Sequence, residues 1–130
     1  MAVVTWRVKW TNPAGSTTGD VVVAEIQTDP KRPGQPSITV PKGRTFVIKD
    51  MFKNPDVTIG GSIEFVINDL EVVYRSPDVN VMDPNNPSRP LPPDIYLYEG
   101  DNLKLNVYVN ANPNTSDVEE SVTLVVEIIE

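Results

Sequence analysis

The sequence predicts an all-β fold, an antiparallel two-sheet β-sandwich built as a single domain over residues 1–130. Three observations carry this. β-Branched residues dominate the apolar set, with 20 Val and 9 Ile against 6 Leu and 4 Ala; such side chains pack well on a pleated surface and lose rotamer freedom in a helix. Apolar and polar residues alternate over short runs, and no window keeps a helical period beyond a turn or two. The 13 Pro and 7 Gly cluster between those runs, as rigid loops between strands require.

The elements follow in order. Val4, Trp6, Val8 and Trp10 fall on one face and Val3, Thr5, Arg7 and Lys9 on the other. That is a half-buried strand, closed by the turn-forming Asn12-Pro13-Ala14-Gly15-Ser16. One strand is predicted over residues 21–27, with Val22, Ala24 and Ile26 against Val21, Val23 and Glu25, before a loop stiffened by Pro30, Pro33, Gly34 and Pro36. Residues 37–40 form a short strand and Pro41-Lys42-Gly43 a turn. In the strand over residues 44–53, Phe46, Ile48, Asp50 and Phe52 share a face opposite Val47. Asn54-Pro55-Asp56 ends it, and Gly60-Gly61 marks a turn or bulge before Ile63, Phe65 and Ile67 alternate with Glu64, Val66 and Asn68. Asn68-Asp69 then predicts a hairpin into a strand with Leu70, Val72 and Tyr74 on one face.

Residues 76–94 hold Pro77, Pro84, Pro87, Pro90, Pro92 and Pro93. Proline cannot donate to a ladder, so this stretch is excluded from the sheet interior. Residues 95–98 form a strand, Glu99-Gly100-Asp101-Asn102 a turn, and residues 103–109 a strand with Leu103, Leu105, Val107 and Val109 inward. After a loop over residues 112–117, Val122, Leu124, Val126 and Ile128 alternate with Thr123, Val125, Glu127 and Ile129. Eight or nine strands result. The expected core is Val4, Trp6, Val8, Phe46, Ile48, Ile63, Phe65, Ile67, Leu103, Leu105, Val107, Leu124 and Val126. Replacing Phe65 with Ala should cost about 3–5 kcal/mol.

Several function classes are disfavoured. There is no His and no Cys, which removes most nucleophile, general-base and transition-metal chemistry and any disulfide framework. The carboxylates Glu64, Glu71, Asp94 and Glu99 belong to no motif of the paired-acid kind that hydrolyses glycosides. No enzymatic activity and no cofactor are therefore expected. A net charge of −7 argues against nucleic acid, whose binders carry a basic stripe, and against anionic membrane surfaces. The first ten residues carry charges within their apolar run, unlike a signal peptide, and no segment approaches a membrane span.

Two binding chemistries remain to be weighed. Asp78, Asn80, Asp83 and Asn85 crowd one loop that Asp101-Asn102 could approach, a set of oxygen donors suited to Ca²⁺. The EF-hand pattern is missing, however, and Asp-Pro and Asn-Pro pairs are ordinary turn formers. Trp6, Trp10, Tyr96, Tyr98 and Tyr108 are the candidate platforms for a carbohydrate, although the tryptophans share a face with valines and read as core. Tyr96 and Tyr98 lie opposite Ile95 and Leu97, which places them at a surface or interface. Val21-Val22-Val23 and the pairs Val125-Val126 and Ile128-Ile129 are apolar on both faces, as in strands covered by a second layer or a partner chain.

Val40-Pro41-Lys42-Gly43-Arg44-Thr45-Phe46-Val47-Ile48-Lys49-Asp50 and Ile95-Tyr96-Leu97-Tyr98-Glu99-Gly100-Asp101-Asn102-Leu103-Lys104-Leu105 together resemble the corners of jelly-roll proteins of virus particles. Those include head-decoration and small capsid proteins of phages and archaeal viruses. The likeness covers about half the chain, rests on turn placement, and carries over no functional residue. It implies a jelly-roll form of the sandwich, with an immunoglobulin-like order as the alternative. It also implies a subunit of a virion, added in many copies, often as trimers, to a larger protein shell. The expected interface residues are Tyr96, Tyr98, Pro84, Pro87, Pro90 and Ile129. The alternatives are a cytoplasmic soluble protein and, in function, a small carbohydrate- or ligand-binding β-sandwich.

Overall fold

The computed structural model describes residues 2–130, and among these the alternating runs form ten strands. They are β1 (Ala2–Asn12), β2 (Val21–Val23), β3 (Glu25–Gln27), β4 (Ser37–Thr39), β5 (Thr45–Lys53), β6 (Gly61–Ile67), β7 (Glu71–Arg75), β8 (Ile95–Leu97), β9 (Asn102–Val109) and β10 (Val118–Ile129). One turn of 3₁₀ helix, Val79–Val81, interrupts the proline-rich loop. Sheet A has the order β3-β1-β10-β5-β8, and sheet B the order β2-β9-β6-β7, with β4 also pairing β9. Every pairing is antiparallel, and the pairs are nested: β1 with β10, β2 and β4 with β9, β5 with β8, and β6 with β7.

The two inner faces meet in one apolar cluster. β9 is its clearest strand, with Leu103, Leu105, Val107 and Val109 all 0 % exposed between half-buried polar residues. Phe65 on β6 is likewise fully buried and packs its ring 5.6 Å from Tyr74, while Trp6 meets Phe46 edge-on at 5.2 Å. Burying a side chain of this size stabilises the fold by roughly 1.5–3 kcal/mol. All of the expected core residues are buried except Val4, which is half-buried at the end of the sandwich.

Three details depart from the sequence reading. The strand expected over residues 21–27 is two strands in different sheets. Ala24 donates its N–H to Leu105 O (2.9 Å), after which the chain passes from the edge of sheet B to the edge of sheet A, where Glu25–Gln27 pairs with β1. Ala24, at the point where the chain changes sheet, is fully buried. Next, β5 carries a bulge: Val125 pairs with Asp50 and Val126 with Ile48, so Lys49 is extra and the facing reverses. Met51, not Phe52, is therefore the fully buried residue, and Asp50 faces away from the core.

A second bulge places Val73 between Val72 and Tyr74, which pair with Val66 and Phe65. Tyr74 consequently turns inward while Val72 and Leu70 stay exposed, and the three do not share a face. The hairpin itself forms as expected, with Asn68 (φ 55°) and Asp69 (φ 60°) both left-handed and Leu70 N–H bonded to Ile67 O. The proline-rich loop lies along the edge of β5 beyond β8 and sends Val79 and Met82 into the core. Lys53 N–H bonds Met82 O (2.9 Å) and Arg89 bridges to Asp50 (2.6 Å).

Candidate interaction surfaces

The outer face of sheet A gathers three of the expected interface residues. The pairing register aligns Val3, Glu127, Val47 and Tyr96 in one row across β1, β10, β5 and β8. Ile129 pairs with Thr45 in the next row, toward Tyr98. Tyr96 of β8 and Tyr98 just past its end stand two residues apart, their rings 6.2 Å apart and nearly parallel at 18°. They are 49 % and 60 % exposed, and Val3 and Ile129 are also exposed, while Val47 between them is buried. Lys49 closes this face by bridging to Asp94 (2.6 Å). That hydrogen bond, reinforced by the charges of Asp94 and Glu127 against the opposing effect of desolvation, holds its ammonium above the ordinary lysine value. Pro84, Pro87 and Pro90 are exposed on the loop along β5, away from the row of Tyr96.

Three of the expected calcium donors, Asp78, Asn80 and Asp83, hold hydrogen-bond partners within the protein. Asp78 accepts from the N–H and side-chain amide of Asn80 (both 3.0 Å) and from Asn110 Nδ2 (2.8 Å), and Asn80 Nδ2 also reaches Ile59 O. Asp83 closes a separate turn onto Asn85 N–H. Asp101-Asn102 does not approach this loop: it opens β9, where Asp101 bonds Tyr98 N–H, while Asp78 bonds Asn110 just past the far end of that strand. Among the described residues, no group of three or more acidic side chains is placed to hold a metal.

Of the aromatic platforms, Trp6 and Trp10 are each 3 % exposed and belong to the core, which corrects any role for them at a surface. Tyr108 lies on the outer face of sheet B, donates its hydroxyl to Glu64 (3.0 Å), and carries the Arg75 guanidinium 4.0 Å above its ring. The bond to Glu64, then partial burial and the charge of Glu64, raise its phenol above the ordinary value against the pull of Arg75. The other weighed acids are dispersed: Asp94 holds Lys49, Glu99 holds Gly43 N–H, and Glu71 is exposed at the hairpin.

The most heavily built polar site is one that sequence reasoning missed. Glu120 is 0 % exposed and its carboxylate accepts the N–H groups of Thr58 (2.6 Å), Ile59 (2.7 Å) and Gly60 (3.2 Å), a nest of successive amides that compensates the buried charge. Gly60 sits at φ 91° against Asp78 and Asn80, where a side chain would collide. Beside it Asn12, also 0 % exposed, donates to Asn110 O (2.9 Å) and accepts from Ser16 (2.6 Å), and Asn112 bonds Asn12 O. The signal was positional: Asn12 continues the inward series of Trp6, Val8 and Trp10, and Glu120 that of Val122, Leu124 and Val126.

At the opposite end is a mostly apolar cleft of about 300 Å³, lined by Val4, Trp6, Ile38, Phe46 and Ile128 together with two threonines and Arg44, which pairs with Glu130 (3.4 Å). No protein-family model matches the chain, and no curated protein matches it in sequence.

Proposed function

We propose that this is a non-enzymatic structural protein that self-associates and decorates or builds a larger shell, a virion in the first instance. The observation that carries this is the outer face of sheet A. Tyr96 and Tyr98 stand stacked and exposed there beside Val3 and Ile129. Tyrosine combines a large apolar ring with a polar tip and is enriched where proteins meet. The nested strand pairing supports a jelly-roll form, since pairing first with last and so inward is the order of one long hairpin rolled into two sheets. The surplus of acid keeps free subunits apart and favours a basic docking site on the shell.

Native mass measured by light scattering from micromolar to millimolar tests this. Multiples of the 14.4 kDa protomer are expected. The double variant Tyr96→Ser/Tyr98→Ser should keep its fold and associate more weakly. A protomer mass at every concentration overturns self-association. The same tyrosine pair supports a second reading, a carbohydrate-binding module, because exposed rings stack on sugar faces. Glycan-array signal that vanishes in the double variant while the wild type stays monomeric would favour that reading.

A further inference from the structure

We propose that two copies of this chain pair through β2, antiparallel about Val22, so that sheet B of one runs on into sheet B of the other. This rests on the self-association proposed above and names a contact for it apart from the tyrosines.

The free edge of β2 follows from its pairing with β9. Val109 donates its N–H to Asp20 O (2.9 Å), and Ala24 donates its N–H to Leu105 O (2.9 Å). In an antiparallel ladder the residues that exchange hydrogen bonds alternate with those that do not. Asp20, Val22 and Ala24 therefore turn their backbone groups toward β9, and Val21 and Val23 turn theirs away from it. Those two N–H and two C=O groups meet no partner among the described residues. The side chains of Val21 and Val23 stand beside Tyr108 and Asn106 on the outer face, 50 % and 45 % exposed, while Val22 packs against the core.

A bare strand edge is a template for another strand, and sandwiches blunt theirs with charge, proline, bulges or covering loops. The other edges here are blunted in these ways. Gln35 takes both backbone groups of Ile26 on β3 (2.7 and 2.9 Å), and β7 is bulged and carries Glu71 and Arg75. β8 follows directly on Pro92-Pro93-Asp94, and β4 lies between Pro36 and Pro41. β2 is three valines in unbroken register with β9. Asp20 before it is folded back onto Thr17 (2.9 and 3.0 Å), and Glu25 beyond it faces Lys9 (3.8 Å).

Register selects a second copy as the occupant. With a two-fold axis at Val22, Val21 of each chain lies opposite Val23 of the other. Both residues point N–H and C=O outward, so the two pairs close four hydrogen bonds and leave no outward N–H of either strand unpaired. The edge is its own complement, as an isologous contact requires. The four valine side chains meet on the outer face, where β-branched residues pack well across strands. On the inner face the partner's Val22 stands beside this chain's own. A gap of about 190 Å³ lies there, with Trp10 and Thr11 of β1 and Val22 and Val23 among its walls. The joined sheet runs β7-β6-β9-β2 and then β2-β9-β6-β7 of the partner.

The test is amide exchange read at several concentrations, together with sedimentation. The Val21 and Val23 amides should exchange freely in dilute protein and at least about tenfold more slowly where the chain associates. Val23→Pro removes an outward N–H and none from the ladder with β9, a position at which an edge strand tolerates proline. It should keep the fold and weaken association at least about tenfold, for two hydrogen bonds lost per dimer. Val21→Lys/Val23→Lys, which sets like charges opposite one another on an already exposed face, should weaken it as much without lowering the melting temperature. If the wild type associates while both amides exchange equally at every concentration and the lysine variant associates as strongly, β2 pairing is overturned and assembly through sheet A stands. A wild type that is monomeric throughout overturns both and leaves this edge to a strand of another protein.

Discussion

At the end of the sandwich where β1 finishes and β10 begins, Glu120, Asn12 and Asn112 lie buried, and their side chains hold seven backbone groups of β1 and the neighbouring loops. At the other end Val4, Ile38 and Ile128 are half-buried around a cleft. The difference is one of direction. Hydrogen bonds to a buried carboxylate are angle-specific, and breaking them leaves unsatisfied donors, so the latched end has one arrangement. Apolar contact is non-directional, so the open end is defined by shape and by whatever fills it.

Glu120→Ala should show the contrast most strongly. It strips three amides of their acceptor at a site without solvent, and an orphaned buried donor costs about 1–3 kcal/mol. Denaturant unfolding should thus register a loss of about 3 kcal/mol or more. A loss under 1 kcal/mol would mean that the latch is dispensable. Ile38→Ala at the open end should cost only about 1 kcal/mol in the same assay, because its side chain is half in water already. An equal cost at both ends would erase the distinction.

The smallest effect lies between the two ends. Tyr108 has its phenol raised above 10.0 by its bond to Glu64, and Tyr74 by burial. A raised value favours the neutral phenol in the folded state. Its stabilisation is therefore complete below the ordinary tyrosine value and fades as pH rises through the folded one. Lys49, raised above 10.5 by Asp94, follows the same sign. Stability should be flat with respect to these groups from neutral pH to about 10 and fall above it. Tyr108→Phe should remove part of that fall, read as melting temperature against pH. An unchanged alkaline slope would show that the Glu64 bond contributes nothing measurable.

Much of this architecture was legible in the chain. The alternation in residues 103–109 and 122–128 placed every inward residue correctly, because a strand's period of two is local. The exposure of Tyr96 and Tyr98 followed from the same parity. Bulges defeated parity in β5 and β7, since one extra residue reverses all later facing and no residue type announces it. Ala24 hid a change of sheet within an unbroken apolar run. Glu120 went unnoticed because a buried carboxylate is reasonable only when three amides converge on it, and those come from about sixty residues away.

The sequence by itself determined that the chain would be strands, where most begin and end, and which faces are apolar. These follow from rotamer preference, side-chain alternation and the inability of proline to donate. Only the tertiary structure decided which end is latched, which is open, and that β2 is an edge. Those are relations between residues distant in the chain, set by which strands lie side by side.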